Sequence, residues 1–141
     1  MMNRILWCVD RSKFAENNVE FVCELVRKLN AELTLVHVVV IPLVMEPEAA
    51  VMYDPRPFLE AGEKFLDGTK DHVETHGGKA SVHMESTNGN AAHKIVEYAK
   101  KEGSDLIVLG AMGESEVKDL LLGSVAHTVA RHAPCPVLIL R

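Results

Sequence analysis

Several common protein classes are excluded by what this chain lacks. No apolar run approaches the ~20 residues of a membrane-spanning helix, since charged or polar residues interrupt every greasy stretch. The opening MMNRILWCVD reaches Asp10 too soon to hold the apolar centre of a secretory leader followed by a cleavage site. The expectation is therefore a cytoplasmic protein with no membrane partner. Cysteine is scarce: Cys8, Cys23 and Cys135 are odd in number, widely spaced and form no CxxC pair. Each lies in an apolar run, which suits a small buried hydrophobe rather than a disulfide framework or a metal knuckle. Basic charge is not in excess either. The formal net charge is -5, which argues against a duplex nucleic-acid binder, because such a protein carries a basic face. No internal repeat or low-complexity tract is present.

What remains is an ordinary globular composition, 48% hydrophobic and 25% charged, in 141 residues, enough for one domain around one sheet. Five apolar or β-branched runs read as strands: residues 4–9, 31–41, 79–86, 105–110 and 134–140. Four of them lack clean alternation, as strands covered by helices on both faces do. Residues 79–86 (KASVHMES) alternate and are polar enough for a sheet edge. Between the strands, apolar residues recur at helical spacing over 12–30 (Ala15, Val19, Val22, Val26, Leu29) and 58–76 (Phe58, Gly62, Phe65, Leu66, Val73). They do so again over 90–103 (Ala92, Ile95, Val96, Ala99) and 124–133 (Val125, Val129, Ala133). Ser12 is the expected cap of the first helix, and Asn30, Gly77–78 and Gly103 are stop signals. Four prolines make residues 42–57 an irregular connection. The β-α-β-α-β-α-β-α-β order predicts a single α/β domain over 1–141. Its sheet should be open, five-stranded and parallel, of order 3-2-1-4-5, with helices on both faces.

Open parallel sheets bind ligands beyond the C-terminal ends of their strands, where neighbouring connections leave in opposite directions. In the order 3-2-1-4-5, Asp10 and Gly110 both face that crevice. The stretch from Gly110 to Ser124 contains Gly113 and Gly123 and runs into a helix. Residues without Cβ expose backbone N–H groups to an anion, and Gly123-Ser124 would stand at the positive end of the last helix. The Ser124 hydroxyl adds a donor. Asp10 can accept from a ribose hydroxyl or an adenine amine. The pattern suits a nucleotide, although glycines after strands also serve as plain turns. No GxxxxGK[ST], no GxGxxG after the first strand and no GxSxG occurs, which removes the commoner phosphate loops and the usual hydrolase elbow.

These residues resemble the universal stress protein family. Its nucleotide-binding members carry G-x2-G-x9-G-[ST], which here is Gly110, Gly113, Gly123 and Ser124. VDRS, LTLVHVVV and LLLGSVAHTVARHAPCPVLILR resemble further family segments, so the likeness spans nearly the whole chain. The resemblance implies an ATP-binding sensor or regulator, with AMP or ADP as alternatives and Mg²⁺ as a companion ion. It implies that Asp10 contacts ribose or adenine and that the Val38 backbone meets the adenine edge. Leu109 and Gly110 would line the sugar and first phosphate, while Gly113, Gly123, Ser124 and the Val125 amide hold phosphates. It further implies a homodimer paired through the apolar last strand, acting on an unknown protein partner. The chain departs from the pattern at Ala111, Met112, Glu114 and Glu116, and at Arg11. The two glutamates would repel a triphosphate unless Mg²⁺ or solvent intervenes, with Lys118 offsetting them in part. Two other readings follow: a slow ATPase, or a member that has lost nucleotide and works as an interaction module. No anchored general base is evident for rapid hydrolysis. His37, inside a strand, reads as a packed core histidine. His72 and His76 share a helix face but lack further ligands for a metal. Met45 and Met52 could cover a ligand.

Overall fold

The computed structural model describes residues 2–43, 46, 53–113 and 122–141. Its strands are β1 (Arg4–Cys8), β2 (Glu32–Val40), β3 (Ser81–Thr87), β4 (Leu106–Gly110) and β5 (Val137–Leu140). They form one sheet of order β3-β2-β1-β4-β5 in which every pairing is parallel. The expected topology is thus the observed one. Side chains alternate across the sheet even where all are apolar. Ile5, Trp7 and Val9 enter one core, and Leu6 enters the other.

Helices α1 (Lys13–Asn17), α2 (Val19–Leu29) and α3 (Arg56–Thr75) cover the first face, packing Val19, Val22, Leu66 and Val73 against Trp7. Helices α4 (Ala91–Glu102) and α5 (Ser124–His132) cover the second, with Ile95, Ala99, Ala126 and Val129 against Leu6 and Ile107. Asn30 and Gly103 end α2 and α4 in the left-handed conformation, at φ 50° and 64°.

The structure departs from the sequence expectation in four places. The helix expected over 12–30 is two helices, broken at Asn18, whose φ and ψ are -116° and 9°. The Asn18 side-chain Nδ2 donates to the Phe14 carbonyl at 2.8 Å. That carbonyl would otherwise take the Asn18 backbone N–H, which turns to Ala15 instead at 3.3 Å. Helix α3 starts at Arg56, with Pro57 in its first turn, where the missing N–H costs nothing. The helical stripes expected to be buried also leave two members exposed, Leu29 and Phe58. Strand β3 does lie at the edge, but it does not alternate: Ser81 and Val82 are exposed, and 83–85 are half-buried. There the His83 ring stacks on Tyr98 at 3.9 Å and its Nε2 meets Glu85 Oε1 at 2.9 Å.

All three cysteines are free. Burial, with the Asp10 carboxylate and Cys135 adding to it, pushes the Cys8 thiol far above its ordinary range. Burial raises Cys23 and Cys135 as well. All three therefore remain neutral thiols near pH 7, as small hydrophobes would.

Candidate functional site

The register Trp7↔Val108 between β1 and β4, continued by two residues, brings Val9 level with Gly110. Beyond that level the two chains part. The one after β1 runs to α1 on the first face, and the one after β4 runs toward α5 on the second. The parting opens a cleft at the C-terminal edge of the sheet.

Asp10 is half-buried on one bank of the cleft. Its Oδ1 accepts the Ser12 N–H at 2.9 Å. The residue before it is pinned twice: the Val9 N–H donates to the Val36 carbonyl at 2.9 Å, and the Val9 carbonyl lies 2.8 Å from His37 Nδ1. A carbonyl only accepts, so Nδ1 carries the proton of His37. This buried imidazole, 4.8 Å from the Phe65 ring, is the packed core histidine expected from sequence. Its role at the site is to hold the backbone that presents Asp10.

The opposite bank is the stretch after β4. Ala111 donates to the Leu140 carbonyl at 2.8 Å, and Gly123 donates to the Ala111 carbonyl at 2.7 Å. These two bonds tie the turn to β5 and bring the start of α5 back beside β4. The Gly123 N–H is thereby already used. In the first turn of α5, backbone N–H groups have no acceptor within the helix and form its positive end.

Between the banks lies an inner cavity of about 90 Å³, lined by six of the eight residues singled out from sequence: Asp10, Val38, Leu109, Gly110, Gly113 and Val125. Gly123 and Ser124 adjoin it through Val125 without lining it. The cavity shares Asp10, His37, Val38, Ala91 and Val125 with an outer groove of about 510 Å³ that reaches Arg11 and Phe58. Its walls are mostly apolar, and its polar groups are few, as small-molecule sites require. Asp10 Oδ2 has no hydrogen-bond partner among the described residues.

The physical reason for one glycine differs from the expected one. A Cβ on Gly110 would stand 2.8 Å from Phe14 Cβ and 3.0 Å from Phe14 Cγ. The absent side chain makes room for α1 on the first face, rather than for a ligand. Sequence reasoning missed the contribution of α4. Ala91 and Ile95 of α4 line the inner cavity; the signal was the NGN turn after β3, whose Asn90 side chain caps α4 through the Ala92 N–H at 2.7 Å. Arg11, one of the departures from the family pattern, lies with its guanidinium carbon 6.0 Å from the centre of the Phe65 ring. Met45, Met52, Glu114, Glu116 and Lys118 fall outside the described residues. Among the described residues, no three His, Cys, Asp or Glu side chains are grouped to hold a metal. Nor is any helix there long and apolar enough to cross a membrane.

The whole chain, residues 1–141, matches the profile of the Universal stress protein family. The chain belongs to the universal stress protein family. It is 32% identical over 150 residues to Universal stress protein YxiE of Bacillus subtilis, with all of both chains covered. Its fold superposes on universal stress protein UspA from Lactobacillus plantarum with a TM-score of 0.83 at 27% identity, over 99% of this chain and 98% of that one. Two further universal stress protein structures share the fold. One, from Archaeoglobus fulgidus, is in complex with dAMP, at TM-score 0.68 and 21% identity over all of both chains. The other is in complex with cAMP, at TM-score 0.68 and 23% identity over 98% of this chain and 95% of that one.

Proposed function

We propose that this universal stress protein binds an adenine nucleotide in the cleft between Asp10 and the glycine-containing stretch after β4, and acts as a homodimeric regulator. The supporting observation is the convergence of Asp10, Gly110, Gly113 and the start of α5 on one cavity. An acceptor on one bank and backbone donors on the other match the two ends of a nucleotide. The inner cavity of about 90 Å³ lies below the ~300 Å³ that houses a whole drug-sized ligand. It therefore takes one part of the nucleotide while the outer groove takes the rest.

In this reading Asp10 accepts from a ribose hydroxyl or the adenine amine. The Val38 backbone meets the adenine edge, and Leu109 and Gly110 flank the sugar and first phosphate. The Gly113, Ser124 and Val125 amides receive phosphate oxygens, with the Ser124 hydroxyl. Gly123 acts through its position, since its own N–H is taken by Ala111. Mg²⁺ enters with the phosphates, because that ion keeps several waters and binds phosphate oxygens readily. The family neighbours in complex with dAMP and cAMP lend support to an adenine nucleotide. ATP is the preferred ligand here, with ADP and AMP as alternatives.

Strand β5 is an edge of the sheet, and an uncovered apolar edge invites a second copy. Nucleotide would then change the affinity of the dimer for a protein partner in the cytoplasm. The test is to denature freshly purified protein and identify any nucleotide released by chromatography. Calorimetry with Mg²⁺-ATP, ADP and AMP then follows, with sedimentation equilibrium for the dimer. An adenine nucleotide in the supernatant, or saturable heat, supports the reading. No released nucleotide and no heat at millimolar concentration contradicts it and leaves the interaction module as the better account.

A further inference from the structure

The two banks of the cleft are fixed to different neighbours. The bank of Asp10 hangs from β2 through the two bonds at Val9. The stretch after β4 is tied to β5 and to the start of α5 through Ala111 and Gly123. The pairing of β1 with β4 stops at Trp7↔Val108, two residues short of Val9 and Gly110. Past that level, Phe14 of α1 joins the banks. A Cβ on Gly110 would stand 2.8, 3.0 and 3.2 Å from Phe14 Cβ, Cγ and Cδ2, so the edge of the ring fills the place of the missing side chain. Phe14 is tied back toward Asp10 at short range. The Ser12 N–H donates to Asp10 Oδ1 at 2.9 Å, and Asn18 Nδ2 donates to the Phe14 carbonyl at 2.8 Å. Ala15, next to Phe14, is anchored in the first core. A path of contacts thus runs from Asp10 through Ser12, Phe14, Gly110 and Ala111 to Gly123, and the packing of Phe14 on Gly110 is the link that passes from one bank to the other. Phe14 lines neither the inner cavity nor the outer groove, so it acts on the site without touching an occupant.

We propose that Phe14 is a positioning residue, which sets the span between Asp10 and the start of α5 and so fixes the length of ligand that engages both. The inference rests on the nucleotide reading above. A ligand gripped at both ends gains from a fixed span, because its second end closes on a site already in place. Without the ring each bank keeps its own hydrogen bonds, but the distance between the banks is free to vary. A nucleotide then has to order the cleft as it binds. Gly110 and Phe14 act as a matched pair in this respect: the one has no side chain, and the other packs against the bare backbone.

The experiment is calorimetry of Mg²⁺-ATP with the full chain and four variants: Phe14→Ala, Phe14→Leu, Asp10→Asn and the double variant Asp10→Asn/Phe14→Ala. Phe14→Ala keeps only the Cβ and should bind about tenfold more weakly than the wild type. Phe14→Leu keeps a Cγ and Cδ atoms against Gly110 and should stay within about twofold of it. In the Asp10→Asn background the further loss from Phe14→Ala should shrink to about twofold, since one end of the span is already released. Phe14 is half-buried and alanine favours a helix, so the variants fold, and ¹H–¹⁵N spectra verify it. Equal affinity of Phe14→Ala and the wild type overturns the proposal and leaves the nucleotide reading intact. So does an equal loss in both backgrounds, which marks an effect unrelated to Asp10. No saturable heat from the wild type contradicts the nucleotide reading itself and removes this inference with it.

Discussion

The two ends of the sheet use an aspartate in opposite ways. At the N-terminal end, Asp105 Oδ2 accepts the Asn3 and Arg4 backbone N–H groups, each at 2.9 Å. Around it, Asp105 N–H donates to the Arg4 carbonyl at 2.8 Å, and Glu32 N–H to the Asn3 carbonyl at 2.7 Å. The Arg4 guanidinium closes on the Glu102 carbonyl at 2.7 Å. At the C-terminal end, Asp10 accepts one local N–H through Oδ1 and stands on the bank of a cavity. One carboxylate ties strand ends together. The other is held in place by its neighbours while one oxygen stays without a partner among the described residues. The contrast shows that a strand-end aspartate takes its role from how many backbone donors the local fold turns toward it.

The strongest way to break the contrast is to damage the open end by packing alone. Gly110→Val places a side chain against Phe14, and overpacking of this kind costs about 3 kcal/mol. The urea midpoint should fall, and Phe14→Ala in the same chain should restore part of it. Absence of that recovery would show that Gly110 serves something other than α1. Next in size is His37→Leu. It leaves the buried Val9 carbonyl without its donor, for a loss of about 2 kcal/mol in the same measurement. Unchanged stability would remove His37 as the pin behind Asp10.

Asp10→Asn keeps an oxygen for the Ser12 N–H but removes the charge. It should weaken adenine nucleotide about tenfold and leave the unfolding midpoint within about 0.5 kcal/mol of the wild type. The smallest effect belongs to the tied end. The Arg4 amide first, then the Asn3 amide, hold the Asp105 carboxyl below its ordinary value of 3.8. A carboxyl with a depressed folded-state value contributes stability above its unfolded value, and that contribution is lost as pH falls through the folded one. Unfolding midpoints measured from about pH 5 down to about pH 2 should therefore decline less steeply in Asp105→Asn than in the wild type. Parallel declines would mean that the two amide bonds do not favour the ionised form.

The sheet was legible because strands covered on both faces announce themselves by apolar runs, and helices between them by their spacing. Asp10 and the stretch from Gly110 were legible because topology alone places strand ends at a shared crevice. Other features depend on contacts between distant segments. The break at Asn18 turns on which donor the Phe14 carbonyl accepts, a choice that helical periodicity does not record. Gly110 needed a knowledge of which α1 residue lies over it, and its spacing suggested a ligand where Phe14 stands. Arg11 sits one residue after Asp10, yet Phe65, over fifty positions away, sets its direction. The share of α4 in the cavity was hidden because Ala91 and Ile95 look like any buried helical face.

The most direct measurement is calorimetric titration of Mg²⁺-ATP into the wild type, Asp10→Asn and Asp105→Asn under one set of conditions. The account predicts saturable binding by the wild type and Asp105→Asn, and about tenfold weaker binding by Asp10→Asn. Equal affinity in all three, or no heat from any of them, would contradict a nucleotide seated between Asp10 and the start of α5.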